Sequence, residues 1–287
     1  MRYEAPETIE TAVTLLAGEK GLAHVLAGGT DLIVQMRTGR IEPDLVVDLK
    51  RISGMREIAE ENGGYRIGAA VSGAEMGEHA GLKALWPGVV EAAELIGSTQ
   101  IQGRATMVGN LCNASPAADA VPALVAAGAT VRVAGPEGER DVAAHEIPTG
   151  PGETSLKKGE LVASVYLPAR PARAADAYLR FIPRTEMDIA VVGAGVYLAL
   201  DEDGVCSDAR VALGAVAPTI LRVEEAAQAL IGSKLDDEAL DRLAAAASAA
   251  AQPIDDKRGT RDFRIKVAGV LARRAAAKAL ERARANS

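Results

Sequence analysis

The second half of this chain places three strand-like segments in succession with no helix between them. They cover residues 178–184, 189–200 and 208–216, and turns such as Asp201-Glu202-Asp203-Gly204 join them. Almost everything from 222 to 285 then reads as helix, in segments 223–230, 237–250 and 263–285. Strands first and helices afterwards predict a small antiparallel sheet backed by helices, an α+β unit rather than a doubly wound one. The segment PARPARAAD at 168–176 reads as a linker, so the boundary is set near 172, with units at 1–172 and 175–287.

The first half alternates. A helix is expected over 6–17, a strand at 23–27, a helix from Asp31 to 38–39, and a buried strand at 45–49. Further on, 65–71 reads as a strand leading into a short helix. Helices follow at 86–96 and from Asp119 or Val121 to Ala127, with strands at 130–135 and 160–167. This reads as two α+β lobes, about 1–55 and 56–172. Aromatic residues make up only 3% of the 287, so Ala, Val, Leu and Ile must fill the core.

Charge and cysteine usage narrow the function. A net charge of -7 disfavours nucleic acid as a partner. Two cysteines, Cys112 and Cys206, are too few for an iron–sulfur cluster. A disulfide between them is open, although so low a count favours a reducing cytosol. His24, His79 and His145 lack metal-ligand spacing. The polar start after Met1 is unlike a signal peptide, and no run of 18 apolar residues exists to span a membrane, so a cytoplasmic protein is expected.

Three glycine-rich sites compete as ligand loops. Ala27-Gly28-Gly29-Thr30-Asp31 joins a strand to a helix start, where exposed amides suit a pyrophosphate; a plain tight turn is the alternative. Residues 97–119 are rich in Gly, Asn, Ser and Thr, carry few charges and read as a ligand-facing loop. Within it Thr106, Val108, Gly109, Asn110, Ser115 and Asp119 are the candidate contacts, and Ser115 or Asp119 as a helix cap is the alternative. Val192-Gly193-Ala194-Gly195 looks like a dinucleotide fingerprint, but a strand continues through it where that fingerprint needs a helix.

Together the two loops resemble the FAD-binding medium subunits of the xanthine dehydrogenase and carbon monoxide dehydrogenase family. The family's first loop runs AGGT or AGGH, matching Ala27 to Asp31, and its second runs ATIGGNLCNASPAAD, matching Ala105 to Asp119. The resemblance covers essentially the whole chain. It implies a two-lobed FAD-binding domain, of the kind shared with vanillyl-alcohol-oxidase-like flavoproteins, followed by the family's flavoprotein C-terminal domain. Val108 stands where the family usually has glycine, so a positive φ there would strain it. The resemblance also implies that Ile189 takes a place facing the isoalloxazine that is Tyr in some members. Arg180 aligns with a basic position near the flavin, and Val162 with an aliphatic one. Gly259-Thr260-Arg261 reads as a helix start.

What the resemblance implies in function is electron transfer. A molybdopterin-binding large subunit hydroxylates the substrate, a small [2Fe–2S] subunit relays electrons, and this chain's FAD passes them to NAD⁺, O₂ or another acceptor, in a dimer of heterotrimers. No general acid, base or metal ligand is expected in this chain. The rival readings are a self-contained flavoenzyme of the same fold class and an assembly subunit without FAD. Gly29→Val is expected to fold without flavin, Lys50→Ala to keep it, and Val108→Gly to bind as well or better.

Overall fold

The computed structural model describes residues 1–286 and contains three main sheets. The first is parallel, in the order β1 (Arg2–Glu4), β3 (Leu45–Asp48), β2 (Ala23–Leu26). Helix α1 (Ile9–Gly18) connects β1 to β2, and α2 (Leu32–Arg37) connects β2 to β3. The central strand β3 is buried along its whole length, as its unbroken apolar run requires. Thr8 starts α1 by accepting the Thr11 amide at 3.2 Å.

The second sheet is antiparallel and five-stranded, in the order β4 (Ile58–Glu61), β5 (Gly64–Gly68), β10 (Leu161–Leu167), β6 (Thr130–Gly135), β7 (Gly138–Ala143). A small hairpin of β8 (Pro148–Gly150) and β9 (Glu153–Thr154) stands beside it. The two edge strands, β4 and β7, were not expected. β4 ends in Glu60 and Glu61 and β7 carries Glu139, Arg140 and Asp141; such charges protect a sheet edge and erase the apolar period that marks a strand. Asn62 and Gly63 both take positive φ, 48° and 75°, and close the β4–β5 hairpin.

Six helices decorate this sheet: α3 (Gly73–Glu78), α4 (Ala80–Leu85), α5 (Pro87–Glu94), α6 (Thr99–Gln102), α7 (Met107–Cys112) and α8 (Ala120–Ala127). The stretch 97–119 is therefore not one open loop. Thr106 accepts the Gly109 amide at 2.9 Å and starts α7, whose Met107, Val108 and Leu111 are buried. The polar residues between those three anchors had hidden the helix.

The third sheet is antiparallel, in the order β11 (Ala174–Phe181), β12 (Val192–Leu200), β13 (Cys206–Gly214), β14 (Leu221–Arg222). Helices α9 (Glu224–Gln228), α10 (Asp237–Ala250) and α11 (Arg261–Ala285) cover one face. This is the expected α+β arrangement. Small side chains at Ala268, Ala272, Ala275, Ala276, Ala279 and Ala283 are all fully buried on α11 and let it lie close to the sheet. Strand β11 starts four residues before the expected 178, inside the expected linker, because the Ala-Ala-Asp there carries no strand propensity of its own.

The opposite face of this sheet rests on α5 and α8 of the first half. Gly195 lies in the middle of β12, where a side chain would come within 2.5 Å of the Pro122 carbonyl on α8. Asp176 accepts the Val89 amide at 2.9 Å at the start of α5. Glu91 on α5 pairs with Lys278 and Arg282 on α11. Arg210 donates to the Ala126 carbonyl at 2.7 Å and lies over Tyr197, 4.0 Å from its ring centre.

Candidate functional site

The loop after β2 is built by backbone geometry. Gly29 has φ +81°, a conformation a side chain resists, and a Cβ on Gly28 would overlap the Arg104 carbonyl. The second contact brings residues 27–31 against residues 104–105, so the two expected loops meet. Gln35 on α2 adds a bond across the same seam, donating to Asn113 Oδ1 at 3.1 Å. None of the amides of Gly28, Gly29, Thr30 and Asp31 donates to a protein acceptor among the described residues. The amides of Met107 and Val108 are also free of one. Four adjacent donors beside a backbone cradle that excludes Cβ atoms fit an anionic group of several oxygens. Asp31 heads α2 without a side-chain capping bond, and burial raises its pKa.

The residues from 106 onward divide by role. Val108 has a helical backbone and a buried side chain, so it carries none of the strain that a positive φ would have imposed. Its neighbour Gly109 lies tight against Thr106 Oγ1. Asn110 Oδ1 accepts the Ala120 amide at 3.0 Å and so starts α8, the capping role that was the alternative for Ser115 or Asp119. Ser115 instead accepts the Ala117 amide at 3.3 Å inside a turn that Ala114 enters at φ +49°.

Asp119 is 8% exposed and holds two donors, the Tyr178 hydroxyl at 3.1 Å and Arg180 Nη1 at 2.7 Å. Burial pushes its carboxyl up to about 6, against the opposing pull of Arg180 and Tyr178. Burial likewise raises the Tyr178 phenol well above its usual value. The structure thus joins Asp119 to Arg180 and adds Tyr178, which sequence reading missed. The alternation of a strand was the available signal, since residues 178 and 180 of β11 share a face.

Ile189 is 52% exposed, and the rings of Phe181 and Phe263 meet edge to face at 5.7 Å. Its loop is fastened by Asp188, which accepts from Arg258 at 3.2 Å, and by Met187, whose amide donates to the Gly97 carbonyl at 3.4 Å. Val162 is brought to none of these groups by any exposed surface: its side chain is buried in the core of the five-stranded sheet. Cys112 and Cys206 are both free thiols, and burial pushes them up to about 12 and about 11. Gly193 and Gly195 lie within an uninterrupted β12, as the strand reading requires. No group of three or more His, Cys, Asp or Glu with metal-binding geometry occurs among the described residues, and no helix there is long and apolar enough to cross a membrane.

Lys50 is the other residue that sequence reading kept away from the site. The β2–β3 register sets Leu26 beside Asp48, and Lys50, two residues on, reaches the Ala27 carbonyl at 3.0 Å.

The model of the FAD binding domain in molybdopterin dehydrogenase matches residues 1–170, and that of the CO dehydrogenase flavoprotein C-terminal domain matches 177–279. The carbon monoxide dehydrogenase medium chain of Afipia carboxidovorans is 36% identical over 98% of this chain and 97% of its own length. The putative xanthine dehydrogenase FAD-binding subunit of Escherichia coli is 29% identical, over 97% and 95%. A solved structure of reconstituted CO dehydrogenase from Oligotropha carboxidovorans superposes with a TM-score of 0.92 at 36% identity, covering 100% of this chain and 98% of that one. Two matched domains and relatives aligned nearly end to end carry one conclusion: the chain belongs to the family of FAD-binding medium subunits of molybdenum hydroxylases, the flavin subunits of oxidoreductase complexes.

Proposed function

We propose that this chain holds the FAD diphosphate between residues 27–31 and 106–110 and serves as the electron outlet of a three-subunit complex. The observation that carries this reading is the row of four unpartnered amides at Gly28–Asp31, wedged against Arg104. These donors lie in a backbone cradle, and oriented amides bind phosphate oxygens without a side-chain cation. Helices α2 and α7 have only six residues each, so their dipoles add little and the amides bear most of the load.

FAD, when bound, supplies the exchange between one-electron and two-electron transfer. The chain's own part is to bind and orient it. Arg180, held by Asp119, presents a fixed cation near the ring end, and Ile189 offers an aliphatic wall there. Electrons arrive from a [2Fe–2S] small subunit, next to a molybdopterin-binding large subunit, and leave to NAD⁺, O₂ or another acceptor. The exposed Phe181 and Phe263, in edge-to-face contact, support a face that is covered in the assembled complex.

The test is the FAD-to-protein ratio of purified Gly29→Val, with circular dichroism as the folding control. The variant should be folded and almost colourless. Because Gly29 sits at φ +81°, it should also melt lower, by about 1–2 kcal/mol of stability. Full flavin occupancy would remove the first loop from the site.

A further inference from the structure

Lys50 lies outside both loops, yet it is bonded to the first of them. Its Nζ is 3.0 Å from the Ala27 carbonyl oxygen and 2.8 Å from Asp48 Oδ1. Asp48 is itself fixed: Tyr3 donates its hydroxyl to Oδ2 at 2.6 Å, and the Lys50 amide donates to Oδ1 at 3.0 Å. Tyr3 comes from β1 and Asp48 from β3, so two strands of the parallel sheet anchor this lysine.

The consequence follows from the peptide bond. No cis peptide occurs among the described residues, so the Ala27–Gly28 unit is trans and planar. In such a unit the C=O and N–H point in opposite directions. With the Ala27 oxygen held on the ammonium, the Gly28 N–H must point to the side away from Lys50. Gly28 cannot shift to relieve a rotation, because the Arg104 carbonyl occupies the space beside its Cα. A cation on the carbonyl oxygen also polarises the peptide and makes that N–H a stronger donor.

We infer that Lys50 is a positioning residue for the diphosphate loop, fixing the Ala27–Gly28 peptide plane so that the Gly28 amide is aimed at the phosphate. This rests on the proposed placement of FAD at residues 27–31. It reverses the expectation that removing Lys50 leaves flavin binding untouched. Lys50 acts through the peptide and not by meeting the phosphate, since the amide it aims points away from it.

The experiment titrates FAD into the full-length chain freed of flavin, following quenching of flavin fluorescence at low and at high salt. Lys50→Met should weaken FAD binding ten- to a hundredfold, the value of one well-aimed hydrogen bond to a charged group. The factor should be the same at both salt concentrations, because an aimed amide is not a screened charge. Lys50→Arg should recover most of the affinity; flavin-free Lys50→Met should melt below the parent, because the buried Asp48 carboxylate loses its cation, so every titration is run well below its melting transition. Should Lys50→Met not fold, Lys50→Gln replaces it with the same expectation. Binding within twofold of the parent, or a loss that vanishes at high salt, overturns the inference. Gly29→Val, titrated alongside, separates the causes. If it binds FAD as the parent does, the loop placement falls and this inference with it. If it loses FAD while Lys50→Met keeps it, only the role of Lys50 falls.

Discussion

At the scale of single residues, burial decides what two of the candidate positions do. Val108 occupies a family glycine position, but its side chain is in the core at the first turn of α7. Val108→Gly should therefore lower stability by about 2–4 kcal/mol, from lost apolar burial and the helix cost of glycine. FAD affinity should hardly change, which denaturation and flavin titration on one sample would show. Asp119 makes a prediction in pH. Its folded value of about 6 lies above the unfolded value of about 3.9. As pH rises, the unfolded chain releases this proton first, so the folded state loses stability between about pH 4 and pH 6, on the order of 3 kcal/mol in total. Asp119→Asn does not titrate and lacks this loss. Urea denaturation at pH 4 and pH 7 should show the parent losing ground to the variant by that order. Movement the other way would mean that Arg180 attracts the carboxylate more than burial repels it.

At the scale of elements, the close contact between β12 and α8 gives a matching pair of outcomes. Gly195→Val forces a side chain against the Pro122 backbone and should cost about 1–3 kcal/mol or more, while the folded fraction keeps its flavin. Gly29→Val should do the reverse, with a small loss of stability and a large loss of flavin. Gly195 was readable from sequence as a place where a strand packs closely on backbone, and so was the strand through Gly193 and Gly195; at Gly29 the constraint is its φ of +81° and the close backbone approach falls on Gly28. Elements with a continuous apolar run, β3 and β12, and the helices with one-sided apolar spacing from α9 onward were legible. Elements defined by what they touch were not. Charged edges hid β4 and β7, and scattered polar residues hid α7. The Lys50–Ala27 bond depends on the register of two parallel strands, and the Asp119–Arg180 pair joins residues 61 apart. Neither is encoded by local spacing.

At the scale of the whole molecule, the chain should purify from its native source with a larger and a smaller partner. Size exclusion with native mass spectrometry should give a mass twice that of one heterotrimer. A fully active homo-oligomer of this chain alone would instead favour a self-contained flavoenzyme. The seam between the halves is held by contacts of its own. Asp176 at the start of α5, Glu91 with Lys278 and Arg282, Arg210 on Ala126, and Gly195 over Pro122 all cross it, so cohesion does not depend on the covalent connection at 168–173. The Pro-Arg connection is a tether between surfaces already shaped for each other. Two separately encoded polypeptides, 1–171 and 172–287, produced in one cell, should therefore find each other, co-elute as a stoichiometric pair and reconstitute a yellow protein, whereas either fragment alone should expose its half of the seam and aggregate.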